Sequence, residues 1–295
     1  MALNTEQILK SVRKFRQTLK SAPVSPTPQE VHKLRTQARR VESVLEAFWY
    51  VPRRRGRVVL KQISRLHKRA GGVRDMDVLT AHLATIPQLP KETDCTVQLL
   101  EHLGAKRETQ AAKLRRVHHR YSRPLRKHLK RCAQQMEKLL QRKSDQPGHN
   151  NVEPSSGITA SALALVSDLA QTKTLNRRNL HSYRLRIKEL RNLLQLARNA
   201  EQSDFVSRLG RAKDAIGEWH DWEELLATAT NVLDHRSQCA LINQLRKITE
   251  TKYRTALAQG KRIHRDLSAI TQQITSGRTR RASAPAYAAT LALAM

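Results

Sequence analysis

Val31-His32-Lys33-Leu34-Arg35-Thr36-Gln37-Ala38-Arg39-Arg40 returns 149 residues later as Leu180-His181-Ser182-Tyr183-Arg184-Leu185-Arg186-Ile187-Lys188. In both stretches an apolar residue precedes the His, an Arg follows at +3, and a second cation, Arg39 or Lys188, stands at +7. An α-helix turns about 100° per residue. Arg35 and Arg39 then fall within roughly 60° of His32, and Val31, Leu34, Ala38, Val41, Leu45 and Phe48 gather on the opposite side. His181, Arg184 and Lys188 likewise share a face, backed by Leu180, Tyr183, Ile187, Leu190 and Leu194. Each stretch is expected to form a helix that buries one side and shows a cationic stripe on the other. A merely solvated face mixes signs, because Glu–Lys pairs four apart support it. These stripes are nearly free of acids.

Further along, Gly71-Gly-Val-Arg-Asp-Met-Asp-Val-Leu79 aligns with Gly217-Glu-Trp-His-Asp-Trp-Glu-Glu-Leu225, and Arg74 corresponds to His220. Two motifs in one order at nearly one offset indicate an internal duplication. Helical periodicity dominates the chain and is punctuated by Pro, Gly and Ser. It predicts helices over about 5–20, 29–49, 57–70 (stopping at Gly71-Gly72), 75–87, 91–121 and 124–143. The breaker-rich stretch 144–157 reads as a linker. Helices resume over 158–274, and 275–295 reads as a disordered tail. The expectation is therefore an all-α protein with bundles at 1–143 and 158–274.

Composition limits the function. Against 25 Asp and Glu stand 55 Lys and Arg, a net charge of +30 in 295 residues. Such an excess calls for a polyanion: nucleic acid, an anionic membrane surface or a phosphate polymer. Arg outnumbers Lys, 36 to 19, and its planar fork pairs phosphate oxygens two at a time. Residues 1–150 carry net +21 and residues 151–295 net +9, so the first half is expected to dominate affinity. The longest charge-free runs, Pro154 to Ser167 and Ala282 to Met295, reach about fourteen residues, short of a membrane span. No apolar stretch of signal-peptide length opens the chain, and a cytoplasmic location is expected. Cys95, Cys132 and Cys239 form no metal-binding or disulfide pattern.

The sequence resembles the CHAD family, the conserved histidine α-helical domain. The resemblance rests on His32-x-x-Arg35-x-x-x-Arg39-Arg40, the Gly71 motif and their second copies, and it covers about residues 5 to 270. It implies two four-helix bundles related by a pseudo-twofold axis, with a basic central groove that binds inorganic polyphosphate. It also implies an association with polyphosphate granules. The binding residues it implies are His32, Arg35, Arg39 and Arg40, then His181, Arg184, Lys188 and Arg191. His220 departs from the family, whose second repeat usually has Asn there. Some members carry a fused triphosphate-tunnel domain. This chain has no E-x-E-x-K segment and reads as a stand-alone module.

Other cations are candidates for the same ligand: Lys61, Arg65 and Lys68 on one helical face, Lys10, Arg13 and Lys14 near the start, and Lys213. Aromatic residues make up 4%, too few for the base stacking that single-strand binders use. A base-free polymer fits better, and a nucleic acid remains the alternative. Asp75, Asp77, His220 and Asp221 could ligate a metal in a hydrolase, but no converging ligand set is evident. Asp75 and Asp221 read more simply as helix caps or partners of arginines. No nucleophile elbow or phosphate-binding Gly-rich loop appears. No catalysis, cofactor or metal is expected. Among so many cations an imidazole tends to stay neutral. His32 and His181 can then donate to phosphate oxygens, or else hold the bundle together.

Overall fold

A computed structural model describes residues 5–20, 25–48, 54–87, 93–145, 154–197, 203–234 and 239–275. Every regular element among them is an α-helix: α1 (Thr5–Thr18), α2 (Pro28–Phe48), α3 (Arg54–Ala84), α4 (Thr93–Asp145), α5 (Pro154–Ala170), α6 (Leu180–Ala197), α7 (Ser203–Val232) and α8 (Ala240–Thr275). They fall into two compact units, Asn4–Asn151 with α1 to α4 and Val152–Met295 with α5 to α8. The expected tail (275–295) lies outside the described residues apart from its first residue, as does most of the expected linker.

The apolar stripes become the cores. In the first unit Val31, Leu34, Ala38, Val41 and Leu45 of α2 are buried, and α2 packs on α1 and α3. In the second, Leu180, Tyr183, Ile187, Leu190 and Leu194 of α6 join Leu209, Ile216 and Trp219 of α7 and Ile263 and Leu267 of α8 in one cluster. Burying each such side chain is worth about 1.5–3 kcal/mol, which repays much of the ordering entropy of a short helix.

Two predicted breaks are not breaks. The helices expected at 57–70 and 75–87 are one, because α3 runs straight through Gly71-Gly72. A Cβ on Gly72 would stand 3.0 Å from Oε1 of Gln110 in α4, and one on Gly71 would stand 3.7 Å from Nε of Arg35 in α2. Gln110 approaches Gly72 closely, and the packing of α3 on α2 and α4 outweighs the propensity cost of about 1 kcal/mol per glycine. The helices expected at 91–121 and 124–143 also merge, since α4 contains Pro124. The proline removes one backbone hydrogen bond, while Leu125 and Leu129 beyond it stay buried and carry the helix onward. Asp75 and Asp221 therefore sit in the middle of α3 and α7 and cap neither.

Both His-bearing helices start at reciprocal caps. Thr27 precedes Pro28. Its backbone N–H donates to Glu30 Oε2 (2.8 Å), while the Glu30 N–H donates to Thr27 Oγ1 (3.3 Å). This capping box leaves proline at the first helical position, where no N–H is needed. Before α6 the pair is Asn176 and Asn179. The Asn176 N–H donates to Asn179 Oδ1 (2.9 Å), and Asn176 Oδ1 accepts from the N–H groups of Arg178 (2.9 Å) and Asn179 (3.3 Å). His32 and His181 each follow their cap residue by five positions.

Ile187→Ala is expected to destabilise the second unit by about 2–5 kcal/mol, whereas Leu185→Ala on the exposed side should change stability by less than about 0.5 kcal/mol. Urea denaturation of both variants checks the assignment of the two faces.

Candidate anion-binding site

The duplicated motifs meet in space. In the second unit the Arg184 guanidinium lies on the backbone of α7 at Gly217, so closely that a Cβ there would stand 2.7 Å from Nη2 and 2.8 Å from Nε. Arg184 Nε donates to the carbonyl of Lys213, one turn earlier (3.2 Å). Arg191, two turns further along α6, lies on Gly210, where a Cβ would be 3.3 Å from its Nε. That Nε is buried without a hydrogen-bond partner. Lys213 is half-buried, and its Nζ contacts the exposed Asp214 carboxylate at 2.5 Å. Lys188 is half-buried on the same helix as Arg184.

His181 stands one turn before Arg184. Its ring centroid lies 4.0 Å from that of His220 on α7, with the planes tilted by 47°. His220 Nε2 approaches Glu224 Oε1 at 3.4 Å. Burial, with the neighbouring charges of His220, Arg184 and Lys188, holds His181 below the ordinary histidine value against the opposing pull of Glu224. Burial and Arg184 do the same to His220. Both rings are therefore neutral at pH 7. His220, read in the sequence as a departure from the family and as a candidate metal ligand, belongs to this cluster.

The first unit builds the same core of the site with a different surround. Arg35 lies over Gly71 at ordinary contact distance, 3.7 Å to a Cβ position. His32 and Arg40 are exposed, and Arg39 is half-buried. At the positions matching Arg191 and Lys213, however, stand Glu42 and His67, joined at 3.1 Å. Burial works to raise the Glu42 carboxyl. The hydrogen bonds from His67 and Ser64, with the charges of His67 and Arg39, bring it below the usual value. The basic face is thus partly neutralised there.

The peripheral candidates are dispersed. Lys14, Lys61 and Lys68 are exposed on α1 and α3. Arg65 turns to α4, donating to the Tyr121 hydroxyl at 2.5 Å with its guanidinium carbon 5.7 Å from that ring's centroid. Among the described residues no group of three or more His, Cys, Asp or Glu is placed to hold a metal ion. Burial pushes the Cys132 thiol up to about 11, so it is no nucleophile at neutral pH.

The second acid of each duplicated motif anchors the loop ahead of the His helix. Buried Asp77 accepts from Arg107 Nε at 2.6 Å, and Arg107 Nη2 also donates to the Pro26 carbonyl (2.8 Å), immediately before the Thr27 cap. In the second unit Arg177, inside the cap, meets Glu223 at 3.4 Å and Glu250 at 3.0 Å, 4.7 Å from the Tyr253 ring centroid.

Comparison with known proteins agrees with this fold. The CHAD domain profile matches residues 6–230. The chain belongs to the CHAD family. The crystal structure of the CHAD domain from the plant Ricinus communis has the same fold, with a TM-score of 0.58 at 18% identity over 90% of this chain and 89% of that one. No curated protein matches the sequence. Among the described residues no helix of this CHAD protein is long and apolar enough to cross a membrane.

Asp77→Ala would leave Arg107 half-buried without its carboxylate. The expected cost is about 3–5 kcal/mol, read as a lower urea midpoint, and Arg107→Ala added to it should restore part of the loss in a double-mutant cycle.

Proposed function

We propose that this CHAD protein binds inorganic polyphosphate along the α2–α3 face of the first unit and the α6–α7 face of the second, without hydrolysing it. The observation that carries the reading is the second unit's row of Arg184, Lys188, Arg191 and Lys213. Two of its guanidiniums lie flat on glycines of α7. Preorganised guanidiniums lose little entropy on gripping a phosphate oxygen, and their charge-assisted bonds are the strong ones. The ligand's repeating charge and lack of bases match a site with many cations and few aromatic rings. His32, Arg35, Arg39 and Arg40 extend the contacts in the first unit. Lys14, Lys61, Arg65 and Lys68 add diffuse attraction that speeds encounter. Such a module would tether its protein to cytoplasmic polyphosphate granules.

Combining Arg35→Ala, Arg39→Ala, Arg184→Ala and Lys188→Ala is expected to weaken long-chain polyphosphate binding by roughly 1000-fold or more, at about 1.5 kcal/mol per charged contact. The slope of log affinity against log salt should shrink by about 3. Unchanged affinity by calorimetry refutes the proposal. Preference for duplex DNA of equal charge in a competition assay would transfer the site to nucleic acid. Metal-dependent phosphate release would reveal a hydrolase.

A matched glycine pair separates binding from stability. Gly217→Ala should keep or raise Tm, since alanine gains about 1 kcal/mol of helix propensity. By displacing Arg184 it should also weaken polyphosphate binding about tenfold. Gly71→Ala, whose Cβ meets Arg35 only at ordinary contact distance, should change affinity by no more than about twofold.

A further inference from the structure

The stacked imidazoles of the second unit do something that a fixed cation cannot. Where the first unit has Arg74, charged at every physiological pH, the second has His220, and it stands against His181 at 4.0 Å between centroids. Nδ1 of each ring is buried without a hydrogen-bond partner. No bond from those atoms therefore fixes either ring in one tautomer or protonation state.

The charged groups acting on the pair stand on its own two helices: Arg184 and Lys188 on α6, and Glu224 on α7. Several charges on the flanking elements are engaged elsewhere. Asp168 of α5 pairs with Arg186, Glu250 of α8 with Arg177 and Arg254, and Lys252 of α8 with Glu218. Arg177 of the loop before α6 is held by Glu223 and Glu250.

We propose that His181 and His220 form one proton-accepting subsite, which takes up a proton as a phosphate oxyanion settles on Arg184 and Lys188. This rests on the reading that a polyphosphate occupies this face. Two imidazoliums in contact repel, so the pair titrates as a unit and gains a single proton. Without ligand, burial and the nearby cations keep it neutral, which spares the fold an uncompensated buried charge. An arriving oxyanion offsets those cations and accepts a hydrogen bond from the imidazolium, so the charged form becomes the favoured one. The ligand thus binds the protonated pair more tightly than the neutral pair. By linkage, affinity rises as pH falls from the midpoint of the bound pair to the lower midpoint of the free pair. Internal phosphates of a long chain remain ionised across this window, so the protein supplies the proton change.

Calorimetry with long-chain polyphosphate at pH 6.5, in two buffers of different ionisation enthalpy, counts protons exchanged on binding. The wild-type chain is expected to take up about half to one proton, with affinity rising several-fold between pH 7.5 and 6.5. His220→Gln should lose most of that uptake, and His119→Gln, at an exposed site on α4, should lose none. Imidazole ring signals followed by NMR should include two whose midpoints rise together on adding polyphosphate. Tight binding without uptake, or uptake unchanged in His220→Gln, overturns the subsite and leaves the proposed function standing. Absence of binding at either pH overturns both.

Discussion

An arginine can lie flat on a neighbouring helix only where that helix has no side chain in the way. Arg184 meets this condition at Gly217, where a Cβ would stand 2.7 Å from its Nη2, whereas at the matching Gly71 a Cβ would meet Arg35 only at ordinary contact distance. The rest of the basic face depends on it. The apolar residues behind that face, Ile187 and Leu190 of α6 with Ile216 and Trp219 of α7, keep the two helices together. The close approach fixes the guanidinium beside a backbone carbonyl, that of Lys213. An arginine free in solvent would lose rotamer entropy on meeting a phosphate. Here that loss is taken during folding, supported by the apolar burial of the same two helices.

The position of each His along its helix follows from how the helix begins. Thr27 with Glu30, and Asn176 with Asn179, close the first turns of α2 and α6 with reciprocal hydrogen bonds. The loops that carry these caps are themselves tied down, the first through Arg107 and Asp77 and the second through Arg177 with Glu223 and Glu250. In the motif Gly-x-x-x-Asp-x-Asp/Glu the glycine therefore receives the arginine, and the last acid anchors the entry to the helix that sends it. One short stretch of α3 or α7 sets both the depth and the register of its neighbour.

Much of this is legible in the sequence because it is periodic. The apolar residues recurring along α2 and α6 mark the buried faces, and the His–Arg stripe marks the open ones. What periodicity cannot show is the reason for a residue that breaks it. Gly71-Gly72 reads as a helix stop because glycine lowers helix propensity. Only the packing of α3 on α2 and α4, with Gln110 close against Gly72, explains why α3 continues. Pro124 misleads in the same way, since the packing of Leu125 and Leu129 outweighs one lost hydrogen bond. The Thr27-x-x-Glu30 box carried a readable signal, a cap residue with an acid three positions on ahead of an apolar run. The Asn176–Asn179 version has a weaker one. Contacts such as Asp77 with Arg107 join residues 30 apart and leave no local trace.

Net charge and its arrangement both differ between the halves. The first half holds more than twice the net charge of the second, +21 against +9, yet charge acts through position. At the spot facing Ser64, the first unit joins Glu42 to His67 by a hydrogen bond. The matching spot in the second unit replaces acid with Arg191, histidine with Lys213 and serine with Gly210, and leaves the Arg191 Nε without an internal acceptor. Exposed cations such as Lys61 and Lys68 attract a polyanion from a distance but are screened beyond about 10 Å at ordinary salt. Half-buried cations held against glycine are screened less and act at contact.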